Sequence, residues 1–168
     1  MTQNNTSHMS TKGLITQDGP QYAIRFERHL DHPASMVWDA LTQPVNLAKW
    51  LARTTVDLRP GGDFILEFTN SPSVSKGKIT RLREYALLEY SWHEGQQSSS
   101  LVTWELVPQG PAACLLILTH TRLTQDIPDF GAGWHTHLDL LTEVLEGNRD
   151  TFSWDDAWWR AKLPLYGK

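Results

Sequence analysis

Pro33-Ala34-Ser35-Met36-Val37-Trp38-Asp39-Ala40-Leu41-Thr42-Gln43-Pro44-Val45-Asn46-Leu47-Ala48-Lys49-Trp50-Leu51 carries more structural information than any other segment of the chain. Two prolines start two short amphipathic helices back to back. Proline suits a first helical position, because it has no N–H to leave unpaired and its φ is already helical. After Pro33, residues Val37, Ala40 and Leu41 fall on one helical face, and after Pro44 residues Leu47, Trp50 and Leu51 form a second stripe. Only Thr42 and Gln43 lie between the two patterns, so the chain must bend sharply there. The residue before a proline avoids the α region, which supplies the bend.

A run of alternating segments surrounds this V of helices. Phe64, Leu66 and Phe68 alternate with Ile65, Glu67 and Thr69. Leu88, Tyr90 and Trp92 repeat the pattern, as do Val102, Trp104 and Leu106, and then Leu116, Leu118 and His120. Segments 22–30, 54–59, 76–83 and 87–93 also read as strands. Turn-forming clusters separate the runs, among them Pro60-Gly61-Gly62, Ser71-Pro72-Ser73 and Pro108-Gln109-Gly110-Pro111. Strands this close together pair as hairpins, so an antiparallel meander of six or seven strands is expected.

Downstream, Trp134, Leu138, Leu141 and Leu145 form an apolar stripe with helical spacing, and Gly147 is a natural residue to end the helix. The spacing predicts a long helix over 131–146. The order of elements specifies an α+β, helix-grip architecture, a curved antiparallel sheet wrapped around the last long helix.

The motifs P-x-x-x-V-W-x-A-L-T-x-P-x-x-L-x-x-W-L from Pro33, P-G-G-x-F from Pro60, L-T-H-T from Leu118 and G-W-x-x-x-L-x-x-L from Gly133 occur in this order. Over about residues 22–147 they resemble the homologues of the activator of the 90-kDa heat-shock-protein ATPase, a family of the START-like (SRPBCC) superfamily. The resemblance implies the helix-grip fold and a cavity between sheet and helix. The family is united by fold and pocket and has no shared chemistry, so the resemblance carries the fold further than the function. Similar folds act as cyclases or aromatases on polyketide-like substrates, and the family name suggests regulation of a chaperone. These imply the alternatives to simple binding.

Composition narrows the field. At 168 residues one domain is expected, and a formal charge of −4 without a basic cluster argues against nucleic acid as a partner. The apolar run from Cys114 to Leu118, even with the two alanines before it, is too short to span a bilayer. The N-terminus has no apolar core of the signal-peptide kind, and a single cysteine, Cys114, allows no internal disulfide. A cytoplasmic location is expected. Cys114 lies in an apolar strand and reads as an inert core thiol.

Residues 1–20 are polar and irregular and are expected to be disordered, with the folded domain spanning 21–147 and a tryptophan-rich extension over 148–168. In the extension, Ser153-Trp154-Asp155-Asp156 has the form of a helix start, and Pro164 is expected to end the element. Trp154 and Trp158 are four apart and share a face, while Trp159 points elsewhere. The extension is expected to pack on its own domain; a homodimer contact and a gate over a ligand are the alternatives.

Histidines carry the remaining chemistry. His29, Asp31 and His32 read as solvated residues at a strand-to-helix junction. His135 and His137 lie about 200° apart around a helix and cannot grip one ion. His135 is expected to face solvent and pair with Asp139 one turn on. His137 lies beside the Trp134/Leu141 stripe and is expected to look inward. His120 continues the inward face of Leu116 and Leu118, which suits it to orient a ligand, with Arg81 a candidate partner. No nucleophile elbow, phosphate loop or metal-ligand motif is present. Neither catalytic residues nor a metal or other cofactor is therefore expected.

Together these features suggest binding of a small hydrophobic or aromatic ligand without turnover. From the sheet the wall would comprise Phe64, Leu66, Phe68, Tyr90, Trp92 and Trp104, then Leu116, Leu118 and His120. From the helix it would comprise Trp134, His137, Leu138 and Leu141.

Overall fold

The computed structural model describes residues 11–93 and 99–167. Ten of the expected disordered residues, 1–10, lie outside them. Strand β1 (Leu14–Asp18) and strand β2 (Gln21–Leu30) form a hairpin, followed by helices α1 (Ala34–Thr42) and α2 (Pro44–Trp50). Strands β3 (Arg53–Val56), β4 (Asp63–Glu67), β5 (Val74–Arg83), β6 (Leu87–Trp92), β7 (Ser100–Pro108) and β8 (Cys114–Leu123) follow. The chain then forms helix α3 (Ile127–Leu145), helix α4 (Asp156–Lys162) and a 3₁₀ turn over Leu163–Tyr166. The fold is the α+β helix-grip architecture. Eight strands, all paired antiparallel, lie in the order β1-β2-β8-β7-β6-β5-β4-β3 and curve around α3. No helix among the described residues is long and apolar enough to cross a membrane.

The V at the start of the fold forms as its prolines dictate, with one adjustment. Pro44 opens α2, whereas Pro33 caps α1 from an extended conformation, and its carbonyl accepts from Met36 and Val37. Gln43 serves both helices, ending α1 and preceding α2 with φ −87 and ψ 122, the extended geometry required before a proline. The Trp50 indole N–H donates to the Ala40 carbonyl at 2.9 Å and locks the V shut. Val37, Leu41, Leu47, Trp50 and Leu51 are all buried against the sheet.

Three expectations are corrected. Residues 14–18, placed by composition in a disordered segment, pair as β1 with β2, which brings the strand count to eight. Exposure of Leu14, Thr16, Gln17 and Asp18 gives this edge strand no apolar alternation to read. Helix α3 begins at Ile127 rather than 131, because Pro128 fits its first turn and Gly131 and Gly133 lie within the helix. Gly131 is needed there: a Cβ on it would sit 2.6 Å from the Tyr166 ring. At the other end Gly147 adopts φ +78 and terminates the helix as expected.

The tail is also arranged differently. Asp155 caps α4 through a hydrogen bond from the Ala157 N–H, and Pro164 lies inside the 3₁₀ turn that continues the chain. Trp158 is exposed, while Trp159 donates its indole N–H to the Asp129 carbonyl on α3 at 3.3 Å. Trp154 precedes the helix, so the shared Trp154/Trp158 face does not form, and Trp154 and Trp159 are the tryptophans of the tail that pack against the core. Tyr166 is buried at the end of this excursion. Its hydroxyl accepts from the Gly13 N–H at 2.9 Å and is 2.8 Å from His135 Nδ1, joining both ends of the described chain to α3.

Candidate functional site

The concave face of the sheet meets α3 across a layer of aromatic rings. Phe64 stacks on Tyr90 with centroids 4.0 Å apart. Trp104 donates its indole N–H to the Tyr90 hydroxyl at 3.1 Å and packs edge-on against Trp50 and Trp134. Burial pushes the Tyr90 phenol well above its ordinary pKa, so it stays a neutral hydrogen-bonding group. These rings fill the interior that the sequence marks as a cavity. Phe64, Leu66, Tyr90, Trp104, Leu116, Leu118, Leu138 and Leu141 are thereby brought together in the core, in contact with one another.

Open space begins where the fill ends, at the N-terminal end of α3. A pocket of about 110 Å³ is lined by Leu51, Phe68, Trp92, Asp129, Phe130, Gly133, Trp134 and His137. It shares most of this wall with a wider groove of about 650 Å³, to which Asn70, His93, Asp126, Trp154, Asp156 and Trp159 contribute. Of the residues assigned to the cavity wall from the sequence, Phe68, Trp92, Trp134 and His137 line open space. Phe130 and Asp129 were not anticipated, and Trp159 was read as part of the extension without a place at the wall. Phe130 lies one turn before Trp134 on the same stripe, a signal obscured by starting the helix at 131.

The histidines occupy three different environments. His120 is completely buried. The Trp134 indole N–H donates to its Nδ1 at 2.9 Å, so its Nε2 carries the proton and donates to the Ser100 hydroxyl at 2.7 Å. Burial and the neighbouring His93 lower its pKa to about 3. Arg81 is not its partner. A bulge in β5 between Ile79 and Arg81 turns that side chain to the outer face of the sheet, where it pairs with Glu89. Burial pushes the Glu89 carboxyl upward, but hydrogen bonds from Arg81, Thr103 and Thr80 outweigh it and hold the group below its ordinary pKa.

His137 does look inward. Its Nδ1–H donates to the Trp50 carbonyl at 2.9 Å, which leaves Nε2 as an acceptor, and burial lowers its pKa to about 4. The Trp154 ring covers it with centroids 4.8 Å apart. His135, expected in solvent beside Asp139, is instead buried against Phe26 and Tyr166. Burial lowers its pKa to about 4, with Asp139 opposing the shift and Arg28 and Lys162 adding to it. Asp139 forms its ion pairs with Arg28 and Lys162.

Two further polar atoms matter at the pocket. The indole Nε1 of Trp92 and Nδ1 of His93 are buried without a hydrogen-bond partner among the described residues. Such groups are uncommon in folded proteins and costly when buried dry. No group of three or more His, Cys, Asp or Glu among the described residues is placed to hold a metal ion. The Cys114 thiol is buried and its pKa is raised by that burial.

The chain resembles several solved structures over nearly its whole length. It is 26% identical to CalU16 from Micromonospora echinospora, covering 94% of this chain and 96% of that one with a TM-score of 0.74. It is 27% identical to the protein encoded by BPP1335 of Bordetella parapertussis, covering 90% and 87% with a TM-score of 0.70. DynU16, a protein in the dynemicin biosynthetic locus, shares the fold at 20% identity, with 79% of this chain and 51% of that one covered and a TM-score of 0.69. No curated protein matches the sequence. The family described as Activator of Hsp90 ATPase homolog 1-like protein matches residues 31–146, more than half of the chain, and the protein belongs to that family.

Proposed function

We propose that the protein binds a small, flat, largely apolar molecule at the N-terminal end of α3 and does not convert it. The supporting observation is the pocket walled by the rings of Phe68, Trp92, Phe130 and Trp134, with His137 and Asp129 as the polar groups beside them. Ligand sites are concave, mostly apolar and carry a few placed polar groups. The inner aromatics Tyr90 and Trp104 act here as a rigid floor, and His120 acts through Trp134, whose ring it holds in place. Covering roughly 200 Å² of apolar ligand surface contributes about 5 kcal/mol before association costs, which sets micromolar affinity as the scale. The cytoplasm suits the free thiol of Cys114.

A second reading makes the protein a cyclase-like enzyme, and His137 is the observation in its favour. Its acceptor Nε2 belongs to a residue lining the pocket, but a pKa of about 4 makes it a weak base at neutral pH. A screen of flat hydrophobic metabolites by tryptophan quenching, with product analysis by mass spectrometry, separates the readings. Binding that weakens in Phe130→Ala, with ligand recovered unchanged, is the expected result. Conversion that stops in His137→Gln replaces binding with catalysis. Stoichiometric capture of a 90-kDa heat-shock chaperone, with no small ligand found, replaces both with the role in the family's name.

A further inference from the structure

We propose that the segment 149–155 is a strap that gates the pocket, with the Trp154 indole held against the His137 ring in the place a ligand ring would take. The proposal rests on the binding reading above and adds how access to that site is controlled.

The strap is tied at its two ends and not between them. At one end the Asn148 N–H donates to the Glu143 carbonyl, and the Arg149 guanidinium donates to the Glu143 carboxylate at 2.8 Å. At the other end the Trp159 indole donates to the Asp129 carbonyl, and the Tyr166 hydroxyl meets His135 on α3. From Arg149 to Trp154 no backbone group forms a backbone hydrogen bond among the described residues. The side-chain bonds of this stretch run from Arg149 to Ser153 and from the Trp154 indole to Asp156, inside the tail itself. Phe152 and Trp154 pack on the core, with centroids 6.3 and 4.8 Å from that of His137. Ring contacts alone therefore hold the middle of the strap down, and it can lift without breaking a hydrogen bond to the domain.

Room for that movement exists. Trp154 and Asp156 line both the groove and a second opening of about 690 Å³, which Thr69, Asn70, Phe152 and Ser153 complete. The indole thus borders two open spaces.

The size of the pocket makes the movement necessary. At about 110 Å³ it is well below the roughly 300–1,000 Å³ of a small-molecule site, and the core rings behind it are already packed together. A ring system larger than the pocket has to extend outward past His137, which lines the pocket and the groove alike and carries the indole. Trp154 is an internal competitor for that surface. Apparent affinity is then the intrinsic affinity reduced by the fraction of molecules whose strap is open.

N-phenyl-1-naphthylamine, a neutral probe that fluoresces on entering an apolar site, tests this on the full chain. Trp154→Ala is expected to bind it about threefold tighter and to associate several-fold faster. The wild-type rate should level off with rising probe concentration, at the opening rate of the strap. Arg149→Ala frees one end of the strap at a position outside the groove and should also speed association, so the test survives if Trp154→Ala fails to fold. Phe130→Ala should weaken the probe with or without Trp154. Association at the wild-type rate in whichever strap variants fold, or weaker binding by Trp154→Ala, overturns the strap while the pocket reading stands. Probe binding untouched by Phe130→Ala, or no binding up to the solubility of the probe, overturns the pocket reading and the strap with it.

Discussion

The indole N–H of Trp134 on α3 donates to Nδ1 of His120 on β8 at 2.9 Å, in a site where His120 has no solvent exposure. This bond joins helix to sheet at the level where the aromatic fill gives way to the pocket. Trp134→Phe keeps the ring volume in part but leaves a buried nitrogen without its donor, a loss of about 1–3 kcal/mol. Trp134→Ala adds a cavity and should cost about 3–5 kcal/mol. Urea denaturation of both variants measures the difference, and the phenylalanine variant should lie clearly between wild type and alanine.

Acid should destabilise the fold in a window set by the buried histidines. Unfolded histidine titrates near pH 6.5, whereas His137 titrates at about 4 and His120 at about 3 in the native state. The unfolded chain therefore binds more protons between these limits, and stability rises with pH across the window. Falling from pH 7 to pH 5 should cost about 2 kcal/mol for each of these residues. Glu89, held below the ordinary carboxylate range, loses its contribution only at lower pH. Melting temperature followed from pH 7 to pH 4 checks this, and His137→Gln should flatten the upper part of the curve.

Tyr166→Phe removes one hydroxyl that serves two partners, the Gly13 N–H and His135 Nδ1. We expect a loss of about 2 kcal/mol, with faster hydrogen exchange at the Gly13 amide. Unchanged stability would show that the tail only rests on α3.

On the outer face, Glu89 is 5% exposed and accepts hydrogen bonds from Thr80, Arg81 and Thr103. Glu89→Ala leaves the buried Thr103 hydroxyl without its acceptor and should cost about 1–3 kcal/mol, whereas Arg81→Ala, at an exposed position, should cost less than about 1 kcal/mol. Denaturation of the two variants should rank them in that order.

Period-two and period-3.6 patterns made most of this fold legible. Leu88, Tyr90 and Trp92 turn inward as their alternation requires, and the two prolines placed α1 and α2 within a residue. Strand β1 stayed hidden because it is an edge strand with four of its five residues exposed, so no buried face marks it. The candidate site was legible only in part, since alternation reveals which rings point inward but not whether they fill the space between them. Phe64 stacked on Tyr90 leaves no gap there, and the open pocket lies farther along α3. His135 was misplaced for a similar reason. Its local partner Asp139 sits one helical turn away, but the bond that forms is to Tyr166, 31 residues downstream, and helical spacing carries no information about such a partner.

The hydrogen bond from Gly13 to Tyr166 also bears on how the chain is threaded. Because the Gly13 amide meets the tip of the Tyr166 side chain, residues 13 and 166 lie within one side chain's reach of each other. A short glycine-serine linker from Gly167 to Thr11 would close the chain with little strain, and the β7–β8 turn, where Gly110 is exposed with φ +80, offers a place to open new ends. Such a circular permutant would retain every strand pairing while making β8 the first strand of the chain and β7 the last.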